Sequence, residues 1–488
     1  MEEFVTAFSA GVDAVDSFVW GWAMIVLLLG THLFTTIRTK FIQRKIFTAI
    51  KLSVTKDPDA PGDVSQFGAL TTALAATIGT GNIVGVATGL LCGGPGAIFW
   101  MWITGVLGIA TKYSETYISV KYRVRDSGGR MLGGAMYALE RGFKHKGLGK
   151  FLAVLFAFFA AVASFGIGAS VQSNSLTGAI ISSSLIPGAA NIPTWAVGIV
   201  ITALVAIVIL GGIKSISRVC EKLVPAMAVF YVACCLVILV INAQYLVDAT
   251  YWIFTCAFTG QAAFGGAVGT TVMLALQFGF KRGLFSNESG MGSAPLVAAQ
   301  ASTRNPARQA LVSMSGTFWD TVIICLVTGL TLVTSLLAHP DLMETYLNTW
   351  NNPDLLNVFS GGAALSTACF ESIPVFGPLV LVVGLACFSY STILGWSAYG
   401  NRAITYLCGK KGVMPYYIIF LVFVFWGCIG GGDLVWNISD ISNALMAVPN
   451  CIAVLGLSAI VAKETQHYVY DGNLEETCTD EIPIVESK

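Results

Sequence analysis

A stretch of small and polar residues, AATIGTGNIVG at positions 75–85, interrupts a long apolar run of the sequence. Its three glycines weaken a helix and let other atoms approach the backbone closely. Thr80 and Asn82 add neutral donors and acceptors beside them. If the helix unwinds here, its free carbonyl groups suit a small cation or an ammonium group, and the N–H groups that open the next half-helix suit a carboxylate. The stretch therefore predicts a binding site that is lined by backbone.

Composition places this stretch in a lipid bilayer. The chain has 488 residues, of which 55% are hydrophobic and 11% are charged, whereas a soluble domain carries about 25% charged residues. Apolar runs of about 20 residues recur along the chain, which is typical of membrane-spanning helices. Unpaired backbone groups in hydrocarbon cost several kcal/mol each, so a broken helix must face protein or a polar cavity. Lys plus Arg equal Asp plus Glu, at 27 each, so no excess of positive charge indicates nucleic acid.

Eleven spans are predicted, and the basic residues set their orientation. Cytoplasmic loops concentrate Lys and Arg. With eleven spans, all 27 of these residues, including Lys281 and Arg282, fall on one side, in loops or in the ends of spans that adjoin them. The pattern predicts a multi-pass protein of the cell membrane with its N-terminus outside and its C-terminus in the cytoplasm. The predicted spans are 17–37, 65–92, 95–119, 150–174, 193–213, 223–244, 252–279, 309–337, 373–400, 413–430 and 440–462.

The spans divide into an added first helix and a core of two halves. Residues 1–63 are predicted to hold that helix and a basic amphipathic segment, and residues 466–488 to form a solvated, mobile acidic tail. The core, 64–465, splits into repeats at 64–245 and 250–465. Because each repeat has five spans, the second begins on the opposite side of the membrane and is inverted.

Glycine clusters stand at matching places in the two halves. The first predicted span of the second half contains AAFGGAVGTT at 262–271, with Gly265 and Gly266, where the first half has the 75–85 stretch. Interrupted helices at equivalent positions of inverted repeats are typical of secondary transporters. The alternative for either cluster is that its glycines only let helices pack closely.

Four longer motifs resemble the alanine/glycine:cation symporter family, over about residues 65–465. The resemblance implies an all-α polytopic membrane protein of 11 transmembrane helices. These form a LeuT-type 5+5 inverted repeat with two discontinuous helices, plus one extra N-terminal helix. It further implies sodium-coupled import of a small neutral amino acid, alanine or glycine, by alternating access, with Na⁺ as the coupling ion. The motifs are ALTTALAATIGTGNIVGVATGL (69–90), GGPGAIFWMWITGVLGIATKYSE (93–115), RGLFSNESGMGSAP (282–295) and FSYSTILGWSAYGNRA (388–403).

The resemblance also implies site residues. The implied substrate site consists of Thr80, Gly81, Asn82, Gln172, Gly265, Gly266, Thr392 and Trp396. The first three are expected to meet the substrate carboxylate, Gln172 to offer an amide oxygen to its ammonium group, and Trp396 to cap the side-chain pocket. The implied sodium site consists of two carbonyls and two hydroxyls, from Ala75, Ile78, Ser391 and Thr392. For each side chain the alternative is a buried hydrogen bond that holds helices together.

Acidic residues bear on the choice of coupling ion. Proton coupling usually needs an ionisable group in the pathway, and the two predicted breaks contain none, which favours sodium. Asp320 lies inside a span and is either functional or a structural acceptor of hydrogen bonds. Lys112 and Glu115 are expected to pair at the membrane interface. Glu288 is expected to be a solvated loop charge, with an inner gate as the alternative.

Three other functions remain as alternatives: a LeuT-type carrier for another small solute, a carrier with proton coupling, and a channel. An enzyme is disfavoured because the sequence has no HExxH motif, no GxSxG motif and no cluster of His with acids. The sequence leaves open the choice among alanine, glycine and serine, the preference for L or D isomers, the sodium stoichiometry and the oligomeric state.

Overall fold

The computed structural model of the chain describes residues 11–12, 14–57, 60–183, 185–259, 272–351, 362–430 and 433–485. Helices dominate this part of the chain, and a small three-stranded sheet lies at one end. In chain order, the elements are α1 (Trp22–Arg38), α2 (Ile46–Ser53), α3 (Gln66–Thr77), α4 (Val84–Gly93), α5 (Gly96–Lys121), β1 (Val124–Asp126), β2 (Met131–Leu132), α6 (Ala135–Gly142), α7 (Lys146–Ala163), α8 (Val171–Ile181), α9 (Thr194–Ile209), α10 (Gly212–Ile241), α11 (Leu246–Thr259), α12 (Val272–Asn287), α13 (Pro295–Ala298), α14 (Pro306–Thr317), α15 (Leu326–Ala338), α16 (Pro340–Asn351), α17 (Ala363–Glu371), α18 (Phe376–Cys408), α19 (Val413–Gly430), α20 (Asp433–Gly456), α21 (Ser458–Thr465) and β3 (Ile484–Val485).

Within the described residues, seven helical stretches are long and apolar enough to cross a membrane, and each overlaps a predicted span. They are Ala14–Arg38, Lys146–Ile181, Gly212–Ile241, Pro306–Ala338, Phe376–Cys408, Lys410–Gly430 and Asn437–Gly456. Predicted spans 95–119 and 193–213 correspond to α5 and α9. The predicted span 65–92 is divided into α3 and α4.

Two of the long stretches contain a π-helical turn, in which each backbone carbonyl accepts a hydrogen bond from the N–H group five residues later. Ser164–Ser170 joins α7 to α8, and Phe318–Cys325 joins α14 to α15. Such turns widen a helix locally and leave carbonyl groups free to accept other donors. Both therefore mark places where side chains from other helices meet these spans.

The packing brings the divided helix to the centre of the bundle. Helix α12 packs against α4 and α5, and α14 packs against α5. Helix α18 packs against α3 and α8. The approach of α18 to α3 is close because Gly395 has no side chain: a Cβ there would lie 2.6 Å from the Ala76 nitrogen.

The C-terminal segment is folded onto the bundle, so the prediction of a mobile tail is wrong as far as residue 485. Strand β1 pairs with β2 antiparallel and with β3 parallel. Glu475 forms ion pairs with Arg304 (2.8 Å) and Arg308 (2.6 Å), and Asp480 forms one with Lys121 (2.6 Å). Acidic composition suggested solvation, but these acids find basic partners on the same face of the protein.

The prediction that all basic residues lie on one side is also wrong for Lys281 and Arg282. Lys281 Nζ lies 3.4 Å from an Asp16 carboxylate oxygen. Asp16 is near the start of the first apolar stretch, and Arg38 is at its other end. Both basic residues belong to α12 and line a cavity with Asp16. The sequence analysis placed them in a loop because it ended the seventh span too early.

Candidate functional site

The break between α3 and α4 falls within the predicted stretch. Ile78 ends α3 with an extended conformation (φ −76°, ψ 91°), Gly79 is also extended, and Thr80–Asn82 forms one 3₁₀ turn before α4. The Gly79 N–H donates to Asn82 Oδ1 at 2.9 Å. In a continuous helix that N–H would bond to the Ala75 carbonyl, so the break frees this carbonyl.

The break also leaves amide donors free. Among the described residues, no hydrogen bond acceptor lies at the N–H groups of Thr80 and Gly81. They precede the ten-residue helix α4, whose N-terminal end is favourable for a negative charge. Both residues line a cavity of about 290 Å³. A carboxylate in this cavity would satisfy two otherwise unpaired donors.

Three oxygen atoms meet on the other side of the break. Thr392 Oγ1 donates to the carbonyls of Ile78 (3.3 Å) and Phe388 (2.9 Å). A Cβ on Gly79 would lie 2.6 Å from that hydroxyl. Of the predicted sodium ligands, Ile78 and Thr392 are therefore brought together, and Ala75 lies one turn before Ile78 on α3. Hard oxygen ligands of this kind suit an alkali cation.

Ser391 is placed less directly. Its hydroxyl donates to the Phe388 carbonyl at 2.9 Å and also faces Met227 Sδ at 3.5 Å on α10. It thus shares an acceptor with Thr392 and makes no hydrogen bond to α3 among the described residues. The Phe388 carbonyl was missed from the sequence, since a backbone group of an apolar residue leaves no signal there.

Gln172 lies next to the break with one free atom. Its amide nitrogen donates to the Ile167 carbonyl at 3.2 Å. Its Oε1 is buried and has no partner among the described residues, and it lies 3.5 Å from the position of a Cβ on Gly79. An unpaired buried acceptor is costly, so this oxygen is suited to receive a donor from a ligand.

Trp396 is buried against the π-helical turn that joins α7 to α8. It is 1% exposed, and it packs so closely on Gly168 that a Cβ there would lie 2.3 Å from the Trp396 Cβ. The cavity that reaches Thr80 and Gly81 is not lined by Trp396. Its predicted role as a cap of the side-chain pocket stays a prediction.

The cavity has an apolar wall and a charged rim. The Phe285 ring lies 3.4 Å from the position that a Cβ on Gly81 would take. The apolar wall is completed by Ile167, in the π-helical turn between α7 and α8, and by Val171, at the start of α8. The charged side chains that line the cavity are Asp16, Lys281, Arg282 and Asp440.

A further break lies beside the first, at residues that the sequence analysis did not predict to break, while the predicted stretch 262–271, with Gly265 and Gly266, lies outside the described residues. Helix α12 ends at Asn287, and the chain then takes left-handed conformations at Glu288 (φ 53°), Gly290 (φ 87°) and Gly292 (φ 78°). The motif SNESGMGSAP carried the signal, with two glycines before a proline. It was assigned to a loop because Lys281 and Arg282 were taken to mark the end of a span.

The second break is held by buried charge. The predicted pairing of Lys112 with Glu115 is confirmed, but the pair is buried within the protein instead of lying exposed at an interface. The two residues form an ion pair of 3.1 Å, and they are 2% and 0% exposed. Glu115 Oε2 accepts from the N–H groups of Gly290 (3.0 Å) and Gly292 (3.2 Å), and from the Asn450 amide (2.8 Å). One carboxylate thus satisfies the backbone donors that the break exposes.

Glu288 is likewise not a solvated loop charge. It is 3% exposed, its carbonyl accepts from Lys112 Nζ at 3.1 Å, and its carboxylate accepts from the Ser293 hydroxyl. An acid therefore lies within the second break. This acid was not weighed in the choice of coupling ion, because the sequence analysis did not predict a break here.

Asn82 connects the two breaks. Its Oδ1 caps the first break at Gly79, while its Nδ2 donates to Asp320 Oδ1 (2.8 Å) and Ser286 Oγ (3.1 Å). Ser286 is in the last turn of α12, directly before the second break. All the polar atoms of the Asn82 side chain are thus used within the protein, which is the alternative that the sequence analysis had kept beside substrate contact.

Known proteins are similar to this chain in sequence and in architecture. The sodium:alanine symporter family matches residues 5–480. The sodium/alanine symporter AgcS of Methanococcus maripaludis is 48% identical over 461 residues, which cover 94% of this chain and 96% of that one. The probable sodium/glutamine symporter GlnT of Bacillus subtilis is 32% identical, covering 94% of this chain and 90% of that one.

The fold has a solved counterpart at low sequence identity. A crystal structure of MhsT in complex with L-phenylalanine superposes with a TM-score of 0.54 at 14% identity, covering 84% of this chain and 94% of that one. This likeness confirms a LeuT-type fold. Together with the match over nearly the whole sequence, it identifies the chain as a membrane transporter and not an enzyme. The protein belongs to the sodium:alanine symporter family.

Proposed function

We propose that the protein imports a small neutral amino acid, alanine or glycine, together with sodium, by alternating access. The observation that carries this proposal is the arrangement at the first break. Free N–H groups of Thr80 and Gly81 lie on one side of it, and the oxygens of Ile78 and Thr392 lie on the other. A zwitterion and an alkali cation are the ligands that fit such a pair of adjoining sites.

The proposed orientation of the amino acid follows from the charges of these groups. Its carboxylate lies at the N–H groups of Thr80 and Gly81, at the positive end of α4. Its ammonium group donates to Gln172 Oε1, which is buried without another partner among the described residues. Its side chain points toward Phe285, and the cavity of about 290 Å³ is at the small end of the range for ligand pockets. This geometry favours small side chains.

Sodium is proposed to bind at the carbonyls of Ala75, Ile78 and Phe388 and the hydroxyls of Thr392 and Ser391, both of which donate to the Phe388 carbonyl. Because the sodium and substrate sites adjoin the same break, binding of either raises the affinity for the other. A neutral zwitterion that enters with one cation also draws on the membrane potential, by roughly 2.3 kcal/mol per charge per 100 mV.

We also propose the architecture of eleven spans, with the extra first helix in residues 1–63 and a 5+5 core in 64–465. The repeats are 64–245 and 250–465, and α11 and α12 overlap the predicted span 252–279. The N-terminus is proposed to be outside and the C-terminus, with 466–488, in the cytoplasm. In this orientation the cavity leads outward from the first break, since its rim includes Asp16 near the start of the first apolar stretch.

The coupling proposal is tested by uptake into proteoliposomes. Labelled alanine, glycine, serine and glutamine are supplied with an inward gradient of Na⁺ or of K⁺. Sodium-driven accumulation of alanine or glycine is expected, and accumulation of none of the four would contradict the proposal. Glutamine is included because GlnT, a relative, is described as a probable sodium/glutamine symporter; preferred uptake of glutamine would replace alanine as the substrate.

Thr392→Val tests the sodium site, because valine keeps the shape of threonine and removes the hydroxyl. The sodium concentration for half-maximal uptake is expected to rise by about tenfold or more, since a change of 1.4 kcal/mol corresponds to that factor. Thr405→Val is the matched control: it lies on the same helix, and within the described part of the chain its hydroxyl bonds only to Asn401. An unchanged half-maximal sodium concentration in Thr392→Val would remove Thr392 from the site.

A further inference from the structure

The segment that follows the first span carries basic charge without acids. Residues 38–56 contain six Lys or Arg and no Asp or Glu. Among the described residues, no carboxylate oxygen lies within 4.0 Å of these six basic groups, whereas Lys121, Arg304 and Arg308 each pair with an acid. The segment therefore has positive charge that the protein itself does not balance. The six residues are Arg38, Lys40, Arg44, Lys45, Lys51 and Lys56.

One face of this segment, which forms a 3₁₀ turn and then α2, combines the charges with exposed apolar side chains. Phe47 is 81% exposed and Val54 is 70% exposed. Arg44 precedes Phe47 by three residues and Lys51 follows it by four, so the three side chains share a helical face, and both basic residues are exposed. The Arg44 guanidinium also lies 5.3 Å from the centre of the Phe41 ring. We call this surface the basic-aromatic face: Phe41, Arg44, Phe47, Lys51 and Val54.

The other side of the segment is fixed to the protein. Ile42, Ala49 and Leu52 are buried, and α2 packs against α14. The Tyr470 hydroxyl, from the C-terminal segment, donates to the Lys40 carbonyl at 3.0 Å. The basic-aromatic face is therefore held in place by packing and is not part of an unattached linker.

The end of the first span places this face at the membrane surface. The apolar stretch Ala14–Arg38 has 25 residues, which form about 38 Å of helix, whereas the hydrocarbon of a bilayer is roughly 30 Å thick. Arg38 therefore lies at the level of the lipid headgroups, and Phe41 follows three residues later. In the proposed orientation this is the cytoplasmic leaflet, whose surface is negatively charged.

We propose that the basic-aromatic face binds anionic phospholipids of the cytoplasmic leaflet. Arg44 and Lys51 pair with the headgroup phosphates, and the Phe41 and Phe47 rings lie at the boundary between headgroups and acyl chains. Hydrocarbon would exclude the two charges, and water alone would leave the apolar side chains uncovered. The boundary region accommodates both. The proposal concerns a surface remote from the first break and does not depend on which solute is transported.

A lipid bound there also stabilises the attachment of α2. Asp57, three residues after Val54, pairs with Arg304 at 2.6 Å and lies 3.5 Å from the Arg308 guanidinium of α14. Helix α14 in turn packs against α3, the first half of the divided helix. A ligand that binds only the folded protein raises its stability. Anionic lipid is therefore expected to raise the unfolding temperature of the protein.

The experiment measures unfolding temperatures of the purified protein in a neutral detergent, with added phosphatidylglycerol or with phosphatidylcholine of the same acyl chains. Phosphatidylglycerol is expected to give the larger upward shift. In the variant that combines Arg44→Gln with Lys51→Gln, the phosphatidylglycerol concentration for half of this extra shift should rise roughly fivefold for each basic residue removed. The matched control combines Lys214→Gln with Arg218→Gln, exposed residues four apart on α10, and should behave as the wild type.

Two further arms separate a lipid from a simple anion. Phe47→Ser keeps every charge and removes the ring, so it should weaken the response to phosphatidylglycerol, and Phe47→Leu should restore most of it. Glycerol 3-phosphate, a soluble phosphate without acyl chains, should cause no shift at the same concentrations. All these side chains are exposed, so the variants should unfold at the wild-type temperature without lipid. If the double variant does not fold, Lys51→Gln alone should give the fivefold change.

Three results would overturn the lipid site. One is an equal response to phosphatidylglycerol in the wild type and in the variant without Arg44 and Lys51. Another is an equal loss of response in the control without Lys214 and Arg218, since any surface charge would then serve. The third is a shift with glycerol 3-phosphate as large as that with the lipid. Each of these results would leave residues 38–56 as a solvated connection between spans.

Discussion

Gly79 shows how a single missing side chain shapes the candidate site. Its backbone is extended, with φ −138° and ψ −155°, a conformation that any residue can adopt. Glycine is needed there for space, because a Cβ would lie 2.6 Å from Thr392 Oγ1 and 3.5 Å from Gln172 Oε1. Because glycine carries a hydrogen atom in place of a side chain, this position leaves room for both the proposed cation and the proposed ammonium group.

We therefore expect Gly79→Ala to reduce sodium-driven alanine uptake to background while the protein still inserts and purifies as a monodisperse species. Gly178→Ala is the matched control, since nothing lies within 4 Å of a Cβ at that glycine in α8. It should transport normally, and it should be slightly more stable because alanine favours a helix by roughly 0.5–1 kcal/mol over glycine. Normal uptake by Gly79→Ala would show that the site does not depend on this space.

The sequence predicted the residues of the first break better than it predicted their partners. Glycines within an apolar run directly signal an unwound helix, and the position of Ile78 followed from that. The Phe388 carbonyl and the Phe285 ring could not be assigned from sequence, because they belong to apolar residues whose role arises only from packing. Asn82 was predicted to contact substrate, whereas its hydrogen bonds are made within the protein.

At the scale of elements, the second break differs from the first in what stabilises it. The first break is capped by a neutral amide, whereas the second surrounds the Glu115 carboxylate, which accepts from Gly290 and Gly292. The sequence analysis did not predict this break, because it used charge and hydropathy to end a span before Lys281, which pairs with Asp16 at the rim of the cavity. A partly buried ion pair of this kind cannot be recognised from a count of charges along the chain.

Removal of one member of the buried Lys112–Glu115 pair should be costlier than removal of both. Breaking such a pair leaves an uncompensated charge and costs about 3–5 kcal/mol, whereas replacing both charges costs less. We expect Glu115→Gln and Lys112→Met each to lower the unfolding temperature more than the double variant does. The measurement is thermal unfolding of the purified proteins in detergent. A double variant less stable than either single variant would show that the two charges do not compensate each other.

At the scale of the whole molecule, the C-terminal segment joins distant parts of one face. Arg304 pairs with Asp57 (2.6 Å) before the first broken helix and with Glu475 (2.8 Å) after the last helix. Strand β3 adds to the hairpin that follows α5. The fold class could be predicted from composition and motifs, but this attachment could not, since an acidic tail has the same composition whether solvated or paired.

The attachment should weaken in acid. Burial opposes ionisation of Asp57, but hydrogen bonds from Arg304 and the charge of Arg308 outweigh it, so its pKa lies below the ordinary value of 3.8. A lowered carboxyl pKa contributes stability at neutral pH, and this contribution is lost as the pH falls below the ordinary value and through the lowered one. Hydrogen–deuterium exchange of residues 473–485, corrected for the intrinsic rate, should therefore increase between pH 7 and about pH 3.

Asp57→Asn should increase the same exchange already at neutral pH, because it removes the charge on which Arg304 and Arg308 converge. Asp341→Asn, an exposed aspartate in the first turn of α16, is the matched control and should leave the exchange of the C-terminal segment unchanged. Exchange that is independent of pH in the wild type, or equal in wild type and Asp57→Asn, would show that this carboxylate does not hold the segment.

The docked C-terminal segment also imposes an order on the synthesis of the protein. The ribosome makes Glu475 only after every helix of the bundle, yet Glu475 is a partner of the buried Arg308 at 2.6 Å. Among the described residues, the other acid that pairs with Arg308 is Asp57, at 3.5 Å in the complete structure. Translation products that stop short of residue 475 therefore differ from the complete chain at this one face. They lack the Glu475 carboxylate that pairs with Arg304 and Arg308.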